Sequence, residues 1–567
     1  MSKRILISDL FRNGYRALTN RLRLIRRLRM DYVVLRITGA YPERTLQPER
    51  RFPLSLLPWP PPPPSVESFT NTLERIVGDP RVKGIVLIIS GLSAGPATLG
   101  SLRQAILRFR ESGKRAVAYL HDLSMWSYYL ASACDEIAAP ESVHFRAAGL
   151  WSEALFLKDT LALVGIEADF EAIAEYKVSP DTFRRAEMTE PHRKMLESLL
   201  DSLYDEIVGA ISEGRGLTPR RVQELLDSAP LTAEQACAAE LLDMICYEDE
   251  LPAYLGTPQE AAVLVPWDQA QRRLLRPRRW RSRQAIGVIS LEGLIVPGSS
   301  RRPPLPLPVP LPAPTEQAGS DTLVQQLRAA TQDRQLGAVI LHVDSPGGSD
   351  LASDLIWREV AHLRRSKPIV VYMSNQATSG GYYVSTPANA IIAQPTTLTG
   401  SIGIWGGKVV TRKLFAKIQA HREIISRGKA AGLYADAAPF SDQERAKVRA
   451  DIGAGYERFK ARVAEGRGMS DEEVEAVARG RVWTGEQALD RGLVDGLGDL
   501  QAASDKAREL ADLPPGRYAP LVDVRVPKQH QLPQPIPVDA GEWLSNLTEL
   551  LRERVFAMAP WVIRIRG

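Results

Sequence analysis

Cysteine is scarce in this chain: three in 567 residues (Cys134, Cys237 and Cys246), an odd number set inside apolar segments. That excludes a disulfide framework, and no zinc-ligand spacing exists, so the thiols read as buried core groups. Long apolar runs are missing as well. No window of about 18 uninterrupted apolar residues occurs, so no transmembrane helix is expected. Lys3 and Arg4 are followed by only a short apolar stretch before Asp9 and Arg12, which is not a signal-peptide pattern. A strong charge imbalance is absent too: the formal net charge is +5, spread over the whole chain, and does not support nucleic-acid binding. Histidine is sparse, and none lies between Ser379 and His421, so a Ser-His-Asp arrangement with histidine shortly after the serine is not visible.

What is present begins with a basic series, Arg12, Arg16, Arg21, Arg23, Arg26, Arg27 and Arg29, interleaved with Leu6, Leu10, Leu18, Leu22 and Ile25 at nearly helical spacing. Residues 1–30 therefore read as an amphipathic helix able to lie peripherally on an anionic membrane surface, with the cytoplasmic membrane face as the simplest placement. The alternative is a helix docked on the protein's own core or on a neighbouring subunit. Pro58 to Pro64 and Pro303 to Pro314 are stiff, extended segments. The stretch Trp543 to Phe556, then Trp561 to Ile565, reads as amphipathic with aromatics, the first part as a helix.

The chain is a tandem repeat. Gly39 in YVVLRITGA and Gly293 in IGVISLEGL stand 254 residues apart, as do Tyr129 and Tyr383, and Trp151 and Trp405; TAEQA from Thr232 returns as TGEQA from Thr484. A spacing that drifts by two residues over some 200 marks duplication. The boundaries read as 1–30 for the basic segment, 31–255 for the first repeat, 256–283 for a basic linker, 284–510 for the second repeat and 511–567 for an extension. Ala338 to Val343, Ile369 to Tyr372 and Ala390 to Ala393 are short apolar runs alternating with helix-period segments such as Leu351 to Arg365. That alternation predicts α/β domains with parallel sheets covered on both faces.

Two glycine turns follow predicted strands: Asp344-Ser345-Pro346-Gly347-Gly348 and Thr378-Ser379-Gly380-Gly381-Tyr382. Adjacent glycines let bare backbone N–H groups face a cleft, as an oxyanion hole requires. SPGGS at 345–349, ATSGGYYVSTPA at 377–388, PTTLTGSIGIWG at 395–406 and VWTGEQALDRGLVDGLGD at 482–499 closely resemble the long, duplicated form of the signal peptide peptidase A (protease IV) family. The resemblance spans roughly residues 31 to 510. It implies tandem crotonase-like, Clp-protease-like α/β domains with helical tails, and a serine endopeptidase that cuts leftover signal peptides and other unfolded apolar segments. It further implies Ser379 as nucleophile, Lys177 as general base, Ser401 as an orienting residue, and Gly380 with Gly347 or Gly348 as oxyanion donors. No cofactor or metal is implied; a homo-oligomer, typically a tetramer, is.

The repeat divides the labour. The position 254 residues before Ser379 is Met125, followed by Trp126 and Ser127, so the first half lacks both nucleophile and glycine pair. The position 254 residues after Lys177 is Ala431, so the second half lacks the aligned base, although Lys429 lies two residues away. A lysine base near neutral pH needs roughly 3 units of pKa depression, which burial supplies. The rival readings are a crotonase-like acyl-CoA enzyme, for which no acidic catalyst or CoA pocket is evident, and a catalytically degenerate membrane-associated scaffold.

Overall fold

The computed structural model describes residues 2–25, 28–45, 64–301, 316–526, 555–558 and 564–566. Most of both proline-rich segments lies outside them, as does the expected helix from Trp543 apart from its last two residues, Val555 and Phe556.

Each half builds a parallel sheet from apolar runs that side chains cover on both faces. In the first half the order is Leu264–Pro266, Tyr32–Gly39, Gly84–Leu92, Arg115–Leu120, Glu136–Ala139 and Met244–Ile245. In the second half Leu521–Asp523, Ala285–Glu292, Leu336–Ser345, Ile369–Thr378, Ala390–Ala393 and Gly496–Leu497 repeat that order. Two further short strands, Leu398–Gly400 and Val482–Thr484, continue the second sheet past the end of Ile369–Thr378. Val339, Ile340, Leu341, Val370 and Val371 are all fully buried; each such side chain contributes about 1.5–3 kcal/mol. The two halves hold separate main cores.

The strand order revises the repeat limits. The first sheet takes an edge strand from Leu264–Pro266 and the second takes its own from Leu521–Asp523, so each repeat runs past the limit read at 255 or 510. The helix Trp267–Arg273 follows the first edge strand, which leaves only residues 274–283 as linker. Those two edge strands are three residues each, too short to register as periodic signals.

A third sheet straddles the halves: Gln317–Gly319, Leu294–Val296, Gly347–Ser349, Val555–Met558, Trp405–Val410 and Glu167–Ala172. Its last strand comes from the first repeat and pairs antiparallel with Trp405–Val410 over six residue pairs, from Trp405 with Ala172 to Val410 with Glu167. Arg445 pairs with both Asp169 and Glu171 and Arg449 with Glu171, pinning that strand to the long helix Asp442–Arg467. In the extension, Val555–Met558 and Arg564–Arg566 are strands, not the helix end expected there. Unsatisfied edges of neighbouring strands offer their backbone a full ladder, which outweighs a weak helical period.

The basic segment is the helix Ser2–Ile25, and it is docked. Arg12, Asn13, Arg16, Asn20 and Arg23 donate to backbone carbonyls of residues 274–279, and buried Asp9 accepts from the Arg281 N–H at 2.8 Å. The opposite face, with Phe11, Tyr15, Leu18, Leu22 and Ile25, is exposed. Among the described residues no helix is long and apolar enough to cross a membrane.

Candidate active site

The strand Ile369–Thr378 ends at Ser379, and the short helix Gly380–Ser385 starts immediately after it. Ser379 turns this corner at φ 54°, ψ −112°, a region that side chains avoid. Such a residue costs of order 1–3 kcal/mol and persists only where its surroundings over-determine it. Here the Ser379 N–H donates to the Gly400 carbonyl at 2.7 Å, and its own carbonyl accepts from the Tyr383 N–H at 2.8 Å. Its hydroxyl makes no capping bond to the helix. It points instead to Lys177, whose Nζ lies 2.7 Å from Ser379 Oγ. Lys177 and Ser379 belong to one chain here, 202 residues apart in sequence.

Lys177 arrives from the first half along a short path. The strand Glu167–Ala172 delivers the chain beside Trp405, the Ile173 N–H donates to the Ile404 carbonyl, and the Tyr176 N–H donates to the Arg479 carbonyl. Nζ also sits 3.0 Å from both the carbonyl oxygen and Oγ of Ser401. Ser401, again at positive φ (51°), is fixed by its N–H to the Arg481 carbonyl at 2.7 Å. The lysine is 1% exposed, and burial alone pushes its pKa well below the usual lysine value. Lys429, two residues from the repeat-aligned position, is exposed on a turn.

The glycine turns differ in what they leave open. The Gly347 N–H donates to Ser345 Oγ at 3.1 Å, and Ser345 Oγ donates to the Gly293 carbonyl at 2.6 Å. Gly348 lies so close to the strand Leu294–Val296 that a Cβ would sit 2.0 Å from the Ile295 carbonyl oxygen. Gly380 opens its helix, where N–H groups have no intrahelical acceptor. Asp344 is half-buried and accepts from the Gln376 N–H at 3.1 Å and from Asn375 at 3.2 Å, so it shapes the turn.

Sequence reading missed Gly480 and Gly403. Gly480, at φ 82°, packs against the Lys177 backbone, where a Cβ would approach within 2.5 Å of the lysine N. A Cβ on Gly403 would meet Gly480 Cα at 3.0 Å and Lys177 Cδ at 3.3 Å. Gly403 lies within the motif at 395–406 and Gly480 just before that at 482–499, but what they make is a contact between halves, and no spacing encodes that.

Two homologous α/β repeats sharing one buried serine–lysine contact define a class: duplicated proteins in which a serine of one half meets a lysine of the other. The pattern of peptidase family S49 matches residues 108–261 and again 361–514. The chloroplastic serine protease SPPA of Arabidopsis thaliana is 33% identical over 473 residues, covering 82% of this chain and 68% of that protein. Protease 4 of Haemophilus influenzae is 30% identical over 456 residues, covering 78% and 72% respectively. Among solved structures, a ClpP1 mutant from Listeria monocytogenes matches 38% of this chain and 93% of its own, at 14% identity and a TM-score of 0.24. The chain belongs to peptidase family S49 and is a serine-type peptidase, which sets the crotonase-like reading aside.

Proposed function

We propose that this peptidase cuts extended, apolar peptide segments, cleaved signal peptides among them, with Ser379 as nucleophile and Lys177 as general base. The observation that carries the reading is the 2.7 Å approach of a buried Lys177 amine to Ser379 Oγ. A neutral amine has two N–H groups and one lone pair. The two N–H groups fit the two Ser401 oxygens, which leaves the lone pair to accept the Ser379 proton. Attack on the scissile carbonyl places negative charge on its oxygen. The N–H groups of Gly380 and Gly348 are the donors proposed for it, since the Gly347 N–H is already taken. Lys177 then gives its proton to the departing amine, and repeats the exchange with water to release the acyl group.

Ser379→Ala is expected to lower kcat on the order of 10⁶-fold with the fold intact, and Lys177→Ala nearly as far, whereas Lys429→Ala is mild. A serine-directed acylating probe labels wild type and not Ser379→Ala. Activity above a few per cent in clean Ser379→Ala protein, or a harsher loss from Lys429→Ala than from Lys177→Ala, defeats the assignment. A folded wild type that neither cleaves nor labels points to the degenerate scaffold instead.

The same proposal includes peripheral attachment to an anionic membrane through the N-terminal helix, and assembly into a homo-oligomer, a tetramer by resemblance to the duplicated form. Exposed Leu163, Val164, Ile418, Ile424 and Ile425 supply apolar surface for such an assembly.

A further inference from the structure

Between the strands Leu336–Ser345 and Ile369–Thr378 the pairing runs evenly from Val339 with Ile369 to Val343 with Met373, then jumps to Ser345 with Ala377. Ser374, Asn375 and Gln376 therefore stand opposite Asp344 alone, and the strand that ends at Ser379 bulges shortly before it gets there. Bulges re-aim the side chains that follow them. Two extra residues leave the in-out alternation of a strand unchanged, so the apolar pattern alone does not fix this one. The evenly paired alternative, Ser345 with Asn375, would displace Ser379 by two residues, about 6–7 Å.

Side chains hold the bulge, and they reach into the first repeat. The two Asp344 carboxylate oxygens accept from the Gln376 N–H and from Asn375 Nδ2. Asn375 Nδ2 also donates to Thr98 Oγ1 at 2.9 Å, and Asn375 Oδ1 accepts from the Thr98 N–H at 3.3 Å. Thr98 lies in the first turn of the helix Pro96–Glu111, whose N-cap, Gly95, has no side chain to offer. Helix N-termini leave their first N–H groups without intrahelical partners, and asparagine is a preferred residue for satisfying them. Here the asparagine comes from the other repeat. Gly95 makes room for it, since a Cβ there would lie 2.2 Å from Asn375 Oδ1. The next turn of the helix touches the same strand, with Ser101 Oγ 3.0 Å from Tyr372 Oη. The first repeat has no counterpart of this clamp. The positions 254 residues before Asp344 and Asn375 are Ser90 and His121, in the half that also lacks the serine, and its strands Gly84–Leu92 and Arg115–Leu120 pair without a jump.

We infer that Asn375 is a positioning residue of this peptidase: it locks the bulge that sets where Ser379 stands, and locks it against the repeat that brings Lys177. The inference rests on the reading of Ser379 and Lys177 as the reacting pair. The pairing of Glu167–Ala172 with Trp405–Val410 places the lysine, and the Asn375 clamp places the serine against the same half, so the 2.7 Å approach is held from both ends.

Four full-length variants test it, with kcat expressed per site titrated to completion by the acylating probe, so that unfolded protein does not count. Asn375→Ala should lower kcat at least about tenfold, as misplacement of a reacting group by about 1 Å does, with KM within about twofold. Thr98→Val, which removes only the bond from Asn375 Nδ2, should fall between that variant and wild type. Gly95→Ala drives a methyl group into Asn375 Oδ1 and should lower kcat although no residue of the second repeat is changed. Combined with Asn375→Ala that methyl group meets no oxygen, so the double variant should be no slower than Asn375→Ala alone. A merely structural role would reduce the number of titrated sites and leave kcat per site unchanged. The inference is overturned by kcat per site within twofold of wild type in Asn375→Ala or, should that variant not fold, in both Thr98→Val and Gly95→Ala. Multiplying losses in the double variant overturn it as well. Full activity in Ser379→Ala would instead overturn the reading of the pair beneath it.

Discussion

Burying an amine without a counter-ion is expensive, and among the described residues Lys177 has none: burial is the cause that lowers its pKa. The cost is met by keeping the amine neutral, which is also the form able to accept a proton. The sign for stability follows. Below the unfolded lysine value of 10.5 the unfolded chain binds a proton that the folded chain does not. Stability therefore rises with pH between the lowered folded pKa and about 10.5. Lys177→Met, similar in volume and unable to ionise, is expected to stabilise the protein by about 1 kcal/mol near neutral pH while abolishing activity. The difference should shrink as pH approaches that of free lysine. Thermal unfolding of both proteins across pH 6 to 10 checks it, and a constant or widening gap rules it out. Activity itself should climb on the alkaline side and fail as acid protonates Lys177.

At the scale of elements, the Ser379–Lys177 contact depends on a strand that belongs to one repeat and pairs in the other. Glu167–Ala172 sets the position of Lys177, and the segment through Arg479, Gly480 and Arg481 fixes it from the opposite side. Gly480→Ala adds a Cβ where the Lys177 backbone stands at 2.5–2.6 Å, in a conformation at φ 82° that also disfavours a side chain. It should cut kcat at least tenfold, by analogy with the sensitivity of catalysis to misplacements near 1 Å, and change KM little. Gly428→Ala, with open space around its Cβ position, is the control for the backbone strain alone. Equal effects of the two would mean that contact with Lys177 is not what matters. Much of this architecture was legible beforehand. The strands near Val343, Tyr372 and Ala393 and the complementary losses at Met125 and Ala431 all follow from periodicity and repeat spacing. The strand Glu167–Ala172 was not legible, because half its residues are acidic or polar and its pairing partner lies far along the chain. Phe556 misled for the opposite reason: an amphipathic period suggested a helix, and only the neighbouring edges turn that residue into a strand.

For the whole molecule, the docking of Ser2–Ile25 alters how the proposed membrane attachment should behave. Arg12, Arg16 and Arg23 spend donors on the carbonyls of 274–279, while Phe11, Tyr15, Leu18, Leu22 and Ile25 form the outward stripe. Attraction between arginines and lipid headgroups is screened within about 3 Å at 1 M salt, but apolar insertion is not. Sedimentation with anionic vesicles should therefore be strong at low salt and only partly lost at 1 M. Removing residues 1–30 should abolish most of it and spare cleavage of a soluble peptide. Equal sedimentation by both forms would assign the helix to the fold or to the assembly.

The separation of the proposed base from the proposed nucleophile also orders events during synthesis. Ser379 is translated 202 residues after Lys177, a delay of roughly 10–40 s at ordinary elongation rates. Throughout that interval the nascent first repeat carries a lysine with no serine to activate, and a truncated product released then cannot hydrolyse anything through this site. On the proposed assignment, the site comes into being only when the second repeat has emerged and folded against the first.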